Sequence, residues 1–315
     1  MKVIEYIEKS SKTLFSYEII PPKRGGKIED VFSILEQLIK FEPPFIDLTS
    51  RSAEIYYEDI AQEMVKRHVK RKRPGTIGLS AAIKNRYNIE TVPHLLCTGF
   101  SREETEDALI ELNYLGINNV LAVRGDELRK NHIEKSGKTH NQFAADLVRQ
   151  ITDMNLGKYL EDLEDASATD FCIGVGGYPE KHFESPNLET DLKFLKKKVD
   201  AGADYLVTQM VFNNATYFNF VDNCRLIGIN IPIIPGIKII SRKSHLRTIP
   251  KSFLVDIPKE LSDQISEATD EDTQQIGIDW ATQQCHELVK AGVPCIHFYI
   301  MNSAAEVADV VSKLR

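Results

Sequence analysis

The chain has 315 residues, 42% hydrophobic and 27% charged, with 46 acidic against 39 basic side chains and a net charge of -7. That is ordinary globular composition, and the acidic balance argues against a nucleic-acid or anionic-lipid surface. No apolar run approaches the roughly 20 residues of a membrane helix and no signal peptide is visible, so a cytoplasmic protein without a membrane partner is expected.

In chain order, eight short apolar runs read as strands: residues 13–19, 45–49, 92–96, 119–123, 171–175, 205–209, 231–235 and 296–299. A helical pattern follows each of them. Val31, Leu35 and Leu38 make the first apolar stripe. Ser101-Arg102-Glu103-Glu104 is a capping box, in which Ser101 accepts from a first-turn amide and Glu104 reaches back. The stripe after it is Ala108, Leu109, Leu112 and Leu115; later ones are Leu192, Leu195 and Val199, then Tyr217, Phe220, Val221 and Cys224. Four helix ends pass into strands through a glycine, at Gly116, Gly202, Gly228 and Gly292, where a left-handed residue would close the last turn. The runs after them do not alternate, as expected of parallel strands buried on both faces. Alternating strands and helices predict a parallel sheet, and eight such units predict an α/β fold, a (β/α)8 TIM-type barrel forming a single domain over 1–315. An open doubly wound sheet is the alternative. Arg71-Lys72-Arg73-Pro74 and the acidic stretch 267–272 read as solvated loops or helix caps. Five scattered cysteines, Cys97, Cys172, Cys224, Cys285 and Cys295, form no CxxC pair and read as buried reduced thiols.

In a barrel, functional groups gather at the C-terminal strand ends. Glu18 stands in Leu14-Phe15-Ser16-Tyr17-Glu18-Ile19-Ile20, apolar surroundings that raise a carboxyl pKa toward the range of a general acid; pairing with Lys23 is the plainer alternative. Arg124-Gly125-Asp126 follows an apolar strand, either bringing backbone and carboxylate to a ligand or forming a loop ion pair. Gly174-Val175-Gly176-Gly177 is not a dinucleotide fingerprint, because the third glycine would fall on Pro179. Lys196-Lys197-Lys198 either holds a pyrophosphate or is a solvated helix face. No zinc spacing is present, and Cys295-Ile296-His297 reads as core.

Taken in order, these strand ends resemble one family, the methylenetetrahydrofolate reductases, over nearly the whole chain. The resemblance is carried by Phe15 to Lys23, Pro93-His94-Leu95-Leu96-Cys97, Gly116 to Asp126, Gly177-Tyr178-Pro179-Glu180-Lys181-His182, Asp200 to Asp204 with Thr208-Gln209, Pro232 to Ile237, and His297-Phe298-Tyr299. It implies a flavoenzyme that uses FAD and NADH or NADPH to reduce 5,10-methylenetetrahydrofolate. Glu18 would be the general acid, Asp126 would sit near flavin and pterin, and Gln209 would meet pterin and nicotinamide in turn on one flavin face. Thr49, His94, Arg124, Gly125, Asp126, Ala144, Tyr178, His182, Asp191, Lys197 and Lys198 match FAD-contacting positions, and Tyr299 a substrate-contacting tyrosine. No metal is implied, and a homo-oligomer is left open.

The chain departs from the family pattern on the substrate side. Ser50-Arg51-Ser52 follows Thr49 where the family often has Tyr-Gly-Ala, and Ser303 stands where it usually has Arg. Residues 241–248 lack a glutamine often found there, with His245 or Arg247 as replacements. The chain ends after the eighth helix, so the regulatory domain of longer eukaryotic members and its allosteric control are not expected. Two alternatives remain: a related barrel flavin dehydrogenase acting on another substrate such as proline, which needs no acid at Glu18, and a folate-binding protein with decayed reductase activity.

Overall fold

The computed structural model describes residues 1–50, 75–125, 139–300 and 303–315 in full, and the backbone of 53–61 and 64–71. Ten strands lie among them: β1 (Leu14–Ile19), β2 (Phe45–Leu48), β3 (Ala53–Ala61), β4 (Met64–Arg71), β5 (Glu90–Leu96), β6 (Asn119–Val123), β7 (Cys172–Gly177), β8 (Tyr205–Met210), β9 (Ile233–Ile237) and β10 (Cys295–Tyr299). Eight of them close a parallel barrel in the order β1-β10-β9-β8-β7-β6-β5-β2, with β2 pairing back onto β1. These are the eight expected strands, with ends moved by one or two residues. The (β/α)8 architecture therefore holds, and the open-sheet alternative does not.

The strands are buried on both faces because helices cover the outside and side chains fill the inside. Leu35, Ile83, Leu109, Leu147 and Leu192 dock the helices onto the strands in one continuous core. Each such leucine contributes roughly 1.5–3 kcal/mol of burial. All four glycines at the helix-to-strand turns have positive φ, from 66° at Gly116 to 119° at Gly202. The capping box forms as read: Ser101 Oγ accepts from the Glu104 N–H at 3.1 Å and Glu104 Oε2 accepts from the Ser101 N–H at 2.8 Å. Thr269 caps the helix Asp270–Lys290, so the acidic stretch is a helix start. All five cysteines are buried free thiols.

Three features differ from the sequence expectation. Leu115 is not part of the apolar stripe: it caps the helix Arg102–Tyr114 beyond the last docked turn and is exposed. Arg71 is not in a loop but ends β4, paired with Ala53 across an antiparallel hairpin inserted between β2 and the helix Thr76–Tyr87; residues 72–74 lie outside the described residues. An additional helix, Val3–Lys9, stoppers the N-terminal end of the barrel. There the Val3 N–H donates to Asn119 Oδ1 at 2.8 Å, and Val3 packs on Phe45, Val92, Leu121 and Cys295.

Two glycines of β7, Gly174 and Gly177, serve packing. A Cβ on Gly174 would sit 2.4 Å from the Tyr205 ring, so this position must be bare for the buried tyrosine to cross the barrel interior. Gly236 does the same for Tyr299, whose ring would lie 2.5 Å from an added Cβ. Among the described residues, no helix is long and apolar enough to cross a membrane.

Candidate active site

Alternation along β1 turns Ser16 and Glu18 inward and Tyr17 and Ile19 toward the helices. The β1–β2 register sets Asp47 opposite Glu18, and the β1–β10 register sets His297 opposite Ser16 and Tyr299 opposite Glu18. With His94 from β5, four titratable groups meet in the barrel mouth. His94 Nε2 lies 3.7 Å from Glu18 Oε2 and 3.5 Å from Asp47 Oδ1. His297 Nε2 lies 3.8 Å from the same Glu18 oxygen, and its Nδ1 lies 3.8 Å from Asp47 Oδ2. Each imidazole thus spans the two carboxylates. Ser16 Oγ, 2.9 Å from His297 Nδ1, holds that ring in place.

The depth of these groups sets their chemistry. Asp47 is fully buried, and neither carboxylate oxygen has a hydrogen-bond partner among the described residues. Glu18 keeps 15% side-chain exposure and is the group of the four nearest the opening. Burial pushes His94 toward its neutral form, but the contact with Asp47 and the charges of Glu18 and Asp47 outweigh this, and its pKa is raised above the ordinary histidine value. Beside this group, the Tyr299 hydroxyl donates to the Thr208 carbonyl at 2.6 Å, and burial and then the Glu18 charge push its pKa well up.

A second set of groups lies along β6, β7 and the helix Leu188–Asp200. Arg124 grips Glu184 with both terminal nitrogens, at 2.7 and 2.6 Å, and this pair holds the Glu184 carboxyl below its usual range. One partner of Arg124 is therefore in the loop after β7. Asp126 lies outside the described residues. Gly125 has φ +85°, with Leu96 and Thr98 at van der Waals distance from any added Cβ. Asp191 accepts from the His182 N–H at 3.1 Å and the Ser185 hydroxyl at 2.8 Å, tying that loop to its helix. The Tyr178 and His182 rings meet edge to face at 4.6 Å.

The lysine run splits three ways, as helical geometry requires of consecutive residues. Lys196 pairs with Asp200 on the surface. Lys197 is exposed, with its ammonium 5.1 Å from the Phe194 ring. Lys198 turns inward and donates to the Gly176 carbonyl at 2.5 Å; burial pulls its pKa down to about 8, with Asp191 opposing. Thr49 presents a buried hydroxyl without a partner among the described residues, and Ala144 opens the helix Ala144–Asn155. The Gln209 side chain folds back so that its Oε1 accepts from the Met210 N–H at 2.9 Å, and it lines a cleft with Tyr178, Glu180, Met210 and Leu254. Ser303 is exposed and its hydroxyl accepts from the Ala305 N–H at 3.2 Å. No group of described His, Cys, Asp or Glu residues is disposed to hold a metal ion.

Sequence reasoning passes over Asp47 and treats His297 as plain core. The available signal is the one used for Glu18: a carboxylate inside the apolar run Phe45-Ile46-Asp47-Leu48. It also passes over Lys238, just after β9. The Lys238 ammonium donates to the Tyr299 carbonyl at 3.1 Å, and burial lowers its pKa to about 8.

The family model described as methylenetetrahydrofolate reductase matches residues 3–315. Methylenetetrahydrofolate reductase (NADH) 1 of Arabidopsis thaliana is 32% identical over 96% of this chain and 49% of its own length. The 5,10-methylenetetrahydrofolate reductase of Buchnera aphidicola is 31% identical over 92% of this chain and 87% of its own length. The chain thus spans about half the length of the plant and yeast relatives and most of the bacterial ones. Among solved structures, an uncharacterized protein from Clostridium thermocellum that binds two copies of 5-methyl-5,6,7,8-tetrahydrofolic acid has a TM-score of 0.59 at 13% identity, covering 99% of this chain and 97% of that one. At that identity the likeness is one of fold alone. Because the family match runs through all eight barrel strands, from the mouth acid on β1 to the tyrosine ending β10, the chain belongs to the methylenetetrahydrofolate reductase family.

Proposed function

We propose that this chain, as one catalytic domain over 1–315, reduces 5,10-methylenetetrahydrofolate to 5-methyltetrahydrofolate with NADH or NADPH, using FAD, in alternating half-reactions. The observation that carries the reading is Glu18. It is an inward carboxylate at the opening of the mouth, backed by two imidazoles within 3.8 Å, and so is built to exchange a proton with a bound nitrogen heterocycle. A barrel dehydrogenase that only moves hydride has no use for that group.

The rim from β2 through β5 and β6 to β7 fits a dinucleotide. Its features are the buried Thr49 hydroxyl, the bare positive-φ backbone at Gly125, the helix start at Ala144, the Arg124 guanidinium and the Lys198 ammonium. His94, Tyr178, His182, Asp191 and Lys197 complete the set of residues that would hold FAD. Bound there, FAD would accept a hydride from the nicotinamide and pass it to the folate. Gln209 would orient each ring in turn, Asp126 the pterin, and Tyr299 the substrate. Glu18 would give its proton to the folate nitrogen that leaves as the methylene bridge opens. The Clostridium thermocellum protein shows that a barrel of this fold can bind 5-methyltetrahydrofolate.

The test is the visible spectrum of the purified protein. A yellow protein that bleaches with NADH or NADPH without oxygen, and regains colour on adding 5,10-methylenetetrahydrofolate, is the expected result. A colourless protein that takes up no FAD, or a reduced flavin that folate does not reoxidise, would overturn the reading.

A further inference from the structure

Each folate turnover removes one proton from Glu18, and a half-buried carboxyl under a bound substrate needs a source to replace it. We propose that His94, held as an imidazolium by Asp47, is that source, so that Glu18, His94 and Asp47 form a proton relay inside the barrel. The inference rests on the general-acid reading of Glu18 and adds the group that recharges it.

The geometry supports it from three directions. His94 Nε2 faces both carboxylates, 3.5 Å from Asp47 and 3.7 Å from Glu18, so one ring nitrogen can hold its proton against Asp47 or deliver it to Glu18. These distances are those of a resting site, and such contacts tighten once substrate is bound. Asp47 has no exposure and no hydrogen bond to either oxygen among the described residues. A buried carboxylate in that state is expensive unless a cation compensates it, and the imidazoles of His94 and His297 face it. His297 is the more constrained of the two, since the Ser16 hydroxyl occupies its Nδ1. The groups that face this centre are Glu18 on β1, Asp47 on β2, Tyr205 on β8, His297 and Tyr299 on β10, and Lys238 after β9, with the Cys295 thiol deeper in. The Asp47 contact favours the charged form of His94 against the opposing effect of burial, in keeping with its raised pKa.

The protons balance. The Glu18 O–H breaks as the substrate N–H forms, leaving a carboxylate. The His94 Nε2–H then breaks as the Glu18 O–H reforms, leaving a neutral imidazole beside Asp47. That imidazole regains a proton from solvent through the open mouth after product leaves, which accounts for the one proton consumed per turnover.

Asp47→Asn tests this with little change of shape. Without the Asp47 charge, His94 should lose its proton at lower pH, and the relay with it. Folate turnover should then stay within about twofold of the parent at pH 6 and fall roughly tenfold or more at pH 8, one pKa unit being a factor of ten. Flavin content and the nicotinamide half-reaction should match the parent. A pH profile that does not move, whether the rate is normal or uniformly lower, would overturn the relay. Glu18→Gln run alongside separates the two ideas. Full folate turnover in Glu18→Gln would remove the general acid itself, whereas loss there with an unmoved Asp47→Asn profile removes only the relay. Should Asp47→Asn not fold, the parent protein decides by nuclear magnetic resonance titration of His94, identified by its absence in His94→Gln. Titration above the ordinary value of about 6.5 is expected, and titration at or below it overturns the proposal.

Discussion

The two sides of the barrel mouth are charged in opposite manners. On the β1, β2, β5 and β10 side, the buried Asp47, His94 and His297 and the half-buried Glu18 face one another at 3.5–3.8 Å. On the β6 and β7 side, Arg124 with Glu184, in partial solvent, and the more buried Asp191 with His182 and Ser185 make short contacts of 2.6–3.1 Å. Loose buried pairs leave protons free to move and pKa values open to change, which suits acid–base work. Tight, half-exposed pairs fix side chains and present charge, which suits gripping an anion. The expected behaviour differs accordingly: the first side should answer to pH and little to salt, the second to both.

The largest effect should come from the buried side. Glu18→Gln keeps the shape and removes the proton, so folate reduction should fall by roughly 10²–10⁴-fold while nicotinamide oxidation and flavin content persist. Stopped-flow measurement of each half-reaction reads this directly. Near-normal folate turnover would mean that this side does no acid–base work and would erase the contrast.

On the other side, the structure sharpens the reading of the lysine pair. Lys198 points inward and Lys197 outward, so Lys198→Ala should weaken FAD retention by about 10–100-fold and Lys197→Ala by less, each loss shrinking as salt rises. A lysine grips an anion only when charged. With the Lys198 pKa lowered to about 8, retention should be full below that value and fall as pH rises through it. Flavin fluorescence during dialysis at several pH and salt values checks both statements. Equal losses for the two variants, or retention independent of pH up to 10, would return the run to a solvated helix face.

The smallest expected effect lies between the two sides. Gln209 ends β8 beside the cleft formed with Tyr178 and Glu180, within reach of either substrate ring. Gln209→Ala should slow both half-reactions, by about tenfold each for one lost hydrogen bond. Double-reciprocal plots with the nicotinamide and the folate as varied substrates should be parallel. Converging lines, or a defect with one substrate only, would mean that the two rings do not share one place.

Much of this architecture is legible in the sequence because its causes are local. A short apolar run between a left-handed glycine and a helix cap can scarcely be anything but a buried parallel strand, and the four such runs, with the other four apolar runs, became barrel strands. Glu18 is legible for the same reason: a single carboxylate in Phe15-Ser16-Tyr17-Glu18-Ile19 has to face something. The hairpin of β3 and β4 is not, because its charged strands lack the apolar alternation that marks a half-buried pair. The helix Val3–Lys9 is hidden as well, since only the open end of the barrel gives so short a segment something to pack against.

The sequence by itself determined the fold class, the family and the strand ends where chemistry gathers, because periodicity, caps and glycine conformations act over a few residues. Only the tertiary structure decided what those residues face. Asp47, His94 and His297 are more than 40 positions apart in the chain, and their meeting with Glu18 depends on the stagger between neighbouring strands. A shift of one residue in either ladder would turn an inward side chain out toward the helices and dismantle the group. Arg124 likewise reaches Glu184 in the loop after β7, because closing the barrel brings the ends of β6 and β7 side by side.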